Sequence, residues 1–501
     1  MSLAGIRNHF ANWRNWESNP IVVKELRQAV RSWAVTGMLL LFLALLFLVS
    51  VGFLAFQSAN ADAYQEFGGI MFGWFAGILA VASVLFIPLY LGIRVAAERQ
   101  ENNPDLFYVS TLSSERIILG KFLCGVYMAV LFFSACMPFM AFTSLLRGVD
   151  LPTIFFVLFY LFLIVCTANM AAIFLGCLPL SRPFKVLLAV FGFFGSFQVI
   201  VPAIAFSLMS LRSGVGTTMG GRDFWIASLT AVAIGAAVTG LFYILSVELV
   251  SPPSSNRAFP VRIYITAIWL FTAALTAAWI EKTKHSFIIN SWAGPIFFLL
   301  LVSLIVVVSN SDELSYRVRK TIPAAPWKRP FAFMLFNGAA GGLIWIALLM
   351  AATCMVIQLT LSDSEWISLS AAAAYAFAYG LAALFIHRTF MAHRTPKLAG
   401  LMTALLAGVC ALMPSIVLFF LNELTWNSIE RLELGNAFNI FSMRDDSRLI
   451  YHLYFAIALL AVMASLNARW FFKQVRNFIP PPKEAPPVIA YASAIQTEPL
   501  P

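Results

Sequence analysis

The sequence predicts an all-α, polytopic integral membrane protein with about twelve transmembrane helices and both termini in the cytoplasm. Three observations carry this. Of the 501 residues, 61% are hydrophobic and only 11% charged, against about 25% charged in a soluble domain. The apolar residues form blocks long enough to cross a bilayer, and only helices or closed barrels satisfy backbone polar groups in lipid. The blocks are apolar on every side, not alternating, so they are helices. Finally, the 33 Lys and Arg residues fall mostly on one side of the span map, which marks that side as cytoplasmic.

The predicted spans are 34–56, 69–93, 122–146, 153–178, 187–211, 224–247, 263–280, 291–309, 332–361, 367–386, 399–421 and 449–469. They organise the chain into five regions. Residues 1–33 form a cytoplasmic N-terminus with an amphipathic helix, unlike a signal peptide. Residues 34–247 form a first six-span bundle with a cytoplasmic loop at 94–121, and 248–262 a cytoplasmic linker. Residues 263–469 form a second six-span bundle. Residues 470–501 form a Pro-rich tail, which includes Pro480, Pro481 and Pro482 and buries too little apolar surface to order itself. The longest external segment, 422–448, has room for a short helix and no separate core.

Ser18-Asn19-Pro20 reads as a helix start, with a capping residue before Pro at the first helical position. Val22, Leu26, Ala29 and Trp33 follow as one apolar stripe. Lys24, Arg27, Gln28 and Arg31 lie opposite, and Glu25 sits in the same run. Such a helix lies in the membrane interface, its cations toward anionic lipid headgroups. A plain basic flank is the simpler reading of the same residues.

The loop between the second and third spans runs from Glu98-Arg99 through Asn103-Pro104-Asp105, a second helix start. Leu106, Phe107 and Val109 give that short helix an apolar side. Ser113 then caps a helix that begins Ser114-Glu115-Arg116 and runs through Ile118-Leu119-Gly120-Lys121 into the third span. A short helix held below two rigid spans can pass on motion from a soluble partner; an ordinary loop helix fits the spacing equally.

Asn19-Pro20-Ile21-Val22-Val23-Lys24-Glu25-Leu26-Arg27 resembles the start of type-two ATP-binding-cassette (ABC) exporter permeases. Glu98-Arg99, Asp105-Leu106, Leu112-Ser113 and Ile118-Leu119-Gly120-Lys121 resemble that family's cytoplasmic loop. The chain departs from the pattern at Asn102-Asn103-Pro104 and Ser110-Thr111. The likeness covers roughly residues 15–250. It implies docking of a separate ATPase subunit on the coupling loop, through Glu98, Arg99, Asp105, Leu106, Phe107, Glu115 and Arg116. It also implies that ATP is bound by that partner, that the chain itself is no enzyme, and that it resides in a bacterial cytoplasmic (inner) membrane. A homodimer or a heteromeric permease partner is a further expectation, and so is duplication of a six-span unit.

Several absences shape the reading. No GxxxxGK[ST], HExxH, GxSxG or CxxC occurs, so no catalytic residue and no metal site are predicted. The six Cys residues show no paired spacing and read as packing. His9, His285, His387, His393 and His452 read as solvated flanks, and Glu248 and Arg94 as interfacial. The net charge of +10 is assigned to cytoplasmic loops and not to nucleic acid, because no basic patch is interleaved with aromatics outside the spans. Gly69, Gly73 and Gly77, and later Gly338 and Gly342, are small residues at helix-packing spacing. They serve internal packing or an interface that shifts during transport. Uncharged spans disfavour a proton- or sodium-coupled carrier. Two other classes stay open: a polytopic membrane enzyme acting on lipid-linked substrates near Asp445, Asp446 and His452, and a membrane scaffold without transport activity.

Overall fold

The computed structural model describes residues 20–59, 67–101, 113–146, 149–179, 221–283, 286–360, 363–420, 434–442 and 446–481, with isolated helical positions between 186 and 195. All regular structure among them is helical, and ten helices are long and apolar enough to cross a membrane. Ten of the predicted spans correspond to these. The eleventh, 399–421, corresponds to a helix at Lys397–Phe420 whose apolar stretch is the shorter Lys397–Met413. The span predicted at 187–211 lies largely outside the described residues. The chain divides into two compact units, Met1–Pro252 and Pro253–Pro501.

The first unit contains α1 (Pro20–Val30), α2 (Trp33–Ala59), α3 (Phe67–Val81), α4 (Ile87–Glu101), α5 (Ser114–Leu145), α6 (Leu151–Cys177) and α7 (Arg222–Val250). α3 and α4 form one continuous span joined by a π turn at Ala82–Phe86. The core of the unit lies where α3 and α5 meet, around Phe42, Phe72, Phe75, Phe132 and Met140. α6 and α7 run parallel. Phe156 packs on Phe224 at 5.2 Å, the Thr167 and Thr239 hydroxyls meet at 2.8 Å, and Phe174 packs on Phe242 at 5.7 Å. α4 crosses α6 at close quarters: a Cβ on Gly176 would lie 2.8 Å from the Gly92 carbonyl oxygen. Next to this seam, the side-chain amide of Asn169 is fully buried, and among the described residues neither of its polar atoms has a hydrogen-bond partner.

The second unit contains α8 (Ala258–Thr283), α9 (Ser286–Val308), α10 (Tyr316–Lys320), α11 (Arg329–Leu335), α12 (Ala339–Thr360), α13 (Asp363–Phe390), α14 (Lys397–Phe420) and α15 (Asp446–Asn477). The span predicted at 332–361 is broken. α11 stops at Leu335, and Gly338, at φ +133°, turns the chain into α12. Of the predicted packing pair Gly338 and Gly342, only Gly342 sits at a close helix approach, where a Cβ would meet Val307 of α9 at 2.5 Å. Gly338 makes the bend, and Gly342 leaves room for Arg262, whose Nη2 a Cβ there would meet at 2.5 Å.

Part of the segment predicted as external, 434–442, folds into this unit. The Gly435 N–H donates to the Tyr375 hydroxyl at 3.1 Å, and the Tyr379 hydroxyl donates to the Gly435 carbonyl. Tyr375 lies roughly 18 Å along α13 from Asp363, at 1.5 Å per residue. Non-helical backbone at such depth is tolerated only when protein surrounds it, and Ile440 is fully buried. Gly435 has φ +105°, which a residue with a Cβ rarely adopts.

Candidate functional site

α1 starts at Pro20, as the sequence predicts, and ends at Val30; Arg31 and Ser32 turn the chain into α2. That turn takes Trp33 off the α1 stripe, and it stands 82% exposed. The buried positions of α1 are Val22, Ala29 and Glu25. Glu25 follows Val22 by three residues and precedes Ala29 by four, so it shares their face. The sequence reading assigns Glu25 to neither face, and the helical period places it on the buried one. Arg27 and Arg31 stay exposed.

The buried carboxylate of Glu25 needs cations, and α4 and α5 supply them. Lys121 Nζ lies 2.9 Å from Glu25 Oε1 and also bonds Glu98. Arg94 Nη2 lies 3.8 Å from Glu25 Oε2, bonds Gln28, and its Nη1 donates to the Tyr90 hydroxyl at 2.8 Å. Lys24 sits 3.7 Å from Glu98. Three cations and two carboxylates from α1, α4 and α5 thus close on one another. Glu25 is 4% and Lys121 6% exposed. Desolvation offsets much of the Coulombic attraction in such a cluster, so its value is positional: it fixes α1 across the ends of α4 and α5.

The other predicted site residues flank the cluster. Arg99 donates to the Leu249 carbonyl at 3.1 Å, which ties α4 to the end of α7. Ser113 caps α5 as predicted, its hydroxyl accepting from the Arg116 N–H at 3.4 Å. Glu115 and Arg116 are exposed, and the Glu115 carbonyl accepts from the Tyr243 hydroxyl at 3.4 Å. Asp105, Leu106 and Phe107 lie outside the described residues. Gly69, Gly73 and Gly77 lie on α3, which packs against α2 and α5 within the unit; Gly73 is buried and the other two half-buried. Lys121 was read only as a motif residue and Arg94 only as interfacial. Their signal was available, since each is a lone cation inside an apolar run.

In the second unit, Arg262 is held by backbone carbonyls. Arg262, 2% exposed, donates from Nη1 to the carbonyls of Met334 at 2.7 Å and Phe336 at 2.6 Å, and from Nη2 to Gly338 at 3.0 Å. Asp312 accepts from the Ala339 N–H at 3.3 Å and from Trp470 Nε1 at 2.8 Å, and burial raises its pKa above the ordinary aspartate value. Arg388 stacks over Trp470 at 4.2 Å. Between α9 and α12, short helices bring Tyr316, Trp327 and Phe331 beside Arg317, Arg319, Lys320 and Lys328. These residues all lie within 316–331, so basic and aromatic side chains interleave there along the sequence itself, against the expectation that no basic patch meets aromatics outside the spans.

Two histidines are not solvated flanks. His387 is buried, with Nε2 3.1 Å from the Thr395 carbonyl. His452 is 3% exposed, with Nδ1 3.3 Å from the Tyr375 hydroxyl. That hydroxyl also accepts from the Gly435 N–H. The side chains of Asp445 and Asp446, grouped with His452 in the enzyme reading, lie outside the described residues. Among the described residues, no group of three His, Cys, Asp or Glu is placed to hold a metal ion. No family model matches the chain, and no curated protein or solved structure is similar to it.

Proposed function

We propose that the chain is the membrane-spanning permease of an ABC transporter, an exporter energised by a separate ATPase subunit. That subunit binds the ATP and docks at the loop between α4 and α5. The observation that carries this reading is the meeting of Glu25, Glu98 and Lys121. These three charges come from three of the stretches in which the sequence resembles the permease family, and Lys121 binds both carboxylates at one end of the first unit. On this reading, the basic ends face the cytoplasm of a bacterial inner membrane.

The mechanism follows from the connectivity. The docking loop leaves α4 after Glu101, one turn beyond Glu98, and enters α5 at Ser114, two turns before Lys121. A push on it moves both helix ends together, and the ion cluster makes α1 move with them. The π turn supplies a place for α4 to bend relative to α3, since such turns weaken the regular ladder and are frequent at functional sites. The close α4–α6 seam and the unpartnered Asn169 amide support a second arrangement. Leaving that amide unsatisfied costs roughly 1–3 kcal/mol, which a shifted neighbour would recover.

The test is affinity purification of the full chain from its native membrane in mild detergent, wild type against Leu106→Asp/Phe107→Asp. Co-purification of an ATPase subunit with wild type and its loss from the variant is the expected result. A folded wild type that brings down no ATPase sinks the reading.

A further inference from the structure

The segment between α9 and α12 has an inner and an outer face. Its inner face is a small apolar cluster of Val318, Ile322, Ala332 and Phe336 closed by Phe478. Arg329 holds the turn within it, donating to the carbonyls of Pro323 at 3.3 Å and Ala324 at 2.9 Å. The outer face carries Tyr316 at 59%, Trp327 at 69% and Phe331 at 64% exposure, with Arg317, Arg319, Lys320 and Lys328 exposed beside them. None of these four cations has an acidic partner among the described residues.

We propose that this outer face binds anionic phospholipid headgroups. The segment is held at the membrane surface from both sides. The chain enters it from the end of one membrane-crossing helix and leaves it into another. Asp312 bonds the first N–H of α12, and Arg262 on α8 grips the end of α11. Side chains fixed at that level meet the headgroup layer, where Trp and Tyr rings are enriched and Lys and Arg reach phosphate. The Lys328 ammonium lies 5.0 Å over the Trp327 ring, so a ring in the carbonyl layer brings a cation to phosphate height. Large apolar side chains left in water are unfavourable, and unpaired cations call for an external anion. A phospholipid of net negative charge satisfies both; a zwitterionic one satisfies only the first. This inference does not depend on the transporter reading.

The full chain, purified in mild detergent, is mixed with equal amounts of phosphatidylglycerol and phosphatidylcholine, and retained lipids are counted by native mass spectrometry. Wild type is expected to retain phosphatidylglycerol preferentially. Arg317→Gln/Arg319→Gln/Lys320→Gln/Lys328→Gln is expected to lose that preference at least about tenfold, since each cation near an anionic surface contributes on the order of fivefold. Trp327→Ala/Phe331→Ala keeps the charges and is expected to lower retention of both lipids a few-fold. Equal phosphatidylglycerol retention by wild type and a folded quadruple variant overturns the proposal. So does unchanged lipid retention with an acidic soluble protein that co-purifies with wild type alone, which assigns the surface to a protein partner.

Discussion

Lys121 in the first unit and Arg262 in the second are both buried cations at the end of a membrane-crossing helix, and they are held by different chemistry. Lys121 is held by the side-chain carboxylates Glu25 and Glu98. Arg262 is held by the backbone carbonyls of Met334, Phe336 and Gly338. Carboxylate partners sit on separate helices and can part and re-form, so the first unit has an end that moves as a body yet can be released. Backbone acceptors stay where the fold puts them, so Arg262 acts as a fixed strut. The guanidinium suits that task because its planar fork reaches several acceptors at once.

The largest effect is expected from breaking the first cluster. Lys121→Met leaves Glu25 and Glu98 without their shared cation and is expected to cost about 3–5 kcal/mol, read as a lowered melting temperature in detergent. The swap Glu25→Lys/Lys121→Glu is expected to recover part of that loss; no recovery would mean the pair's attraction contributes nothing. Arg262→Met is expected to cost about 3 kcal/mol by stranding its acceptors. Arg262→Lys keeps the charge and loses the fork, so it should recover less than half; full recovery would show that charge alone matters.

A smaller effect comes from Asp312. Its folded pKa lies above its unfolded value because of burial. The folded state therefore binds more protons, and stability falls as pH rises from the unfolded pKa through the raised folded one. Asp312→Asn is expected to flatten that part of the stability–pH curve; an unchanged slope refutes the assignment. The smallest effect is expected from Gly435→Ala, about 1 kcal/mol for a Cβ at φ +105°. The space there is open, with only the Tyr379 hydroxyl 4.0 Å away, so a much larger loss would mean that the 434–442 segment holds the second unit together.

The features written in local patterns were legible. Long apolar runs gave the helices, Pro20 gave the start of α1, and Ser113 gave the cap of α5. The buried face of Glu25 was legible too, because its spacing from Val22 and Ala29 puts it on their side. Lys121 could not be paired from sequence, since its partners stand far away along the chain and only the bundle brings them together. The inward fold of 434–442 was hidden for the same reason. Nothing in a polar connecting stretch announces that two tyrosines on another helix will bind its backbone. The break at Gly338 was visible as Asn337-Gly338, a turn signal lying within an otherwise apolar run.

The π turn at Ala82–Phe86 bears on how this gene can change. Such a turn holds one residue more than the α turn it replaces. Everything after it is rotated by about 100° from where an uninterrupted α-helix would carry it. Glu98 lies beyond that point, so its aim at Lys121 depends on that turn. Loss of a single apolar codon there would leave hydropathy, span length and every charged residue intact. Reversion of the π turn to an α turn would absorb the missing residue and keep the rotation of everything beyond it, so Glu98 would keep its aim at Lys121, and a one-codon deletion would be better tolerated at this turn than elsewhere in the span.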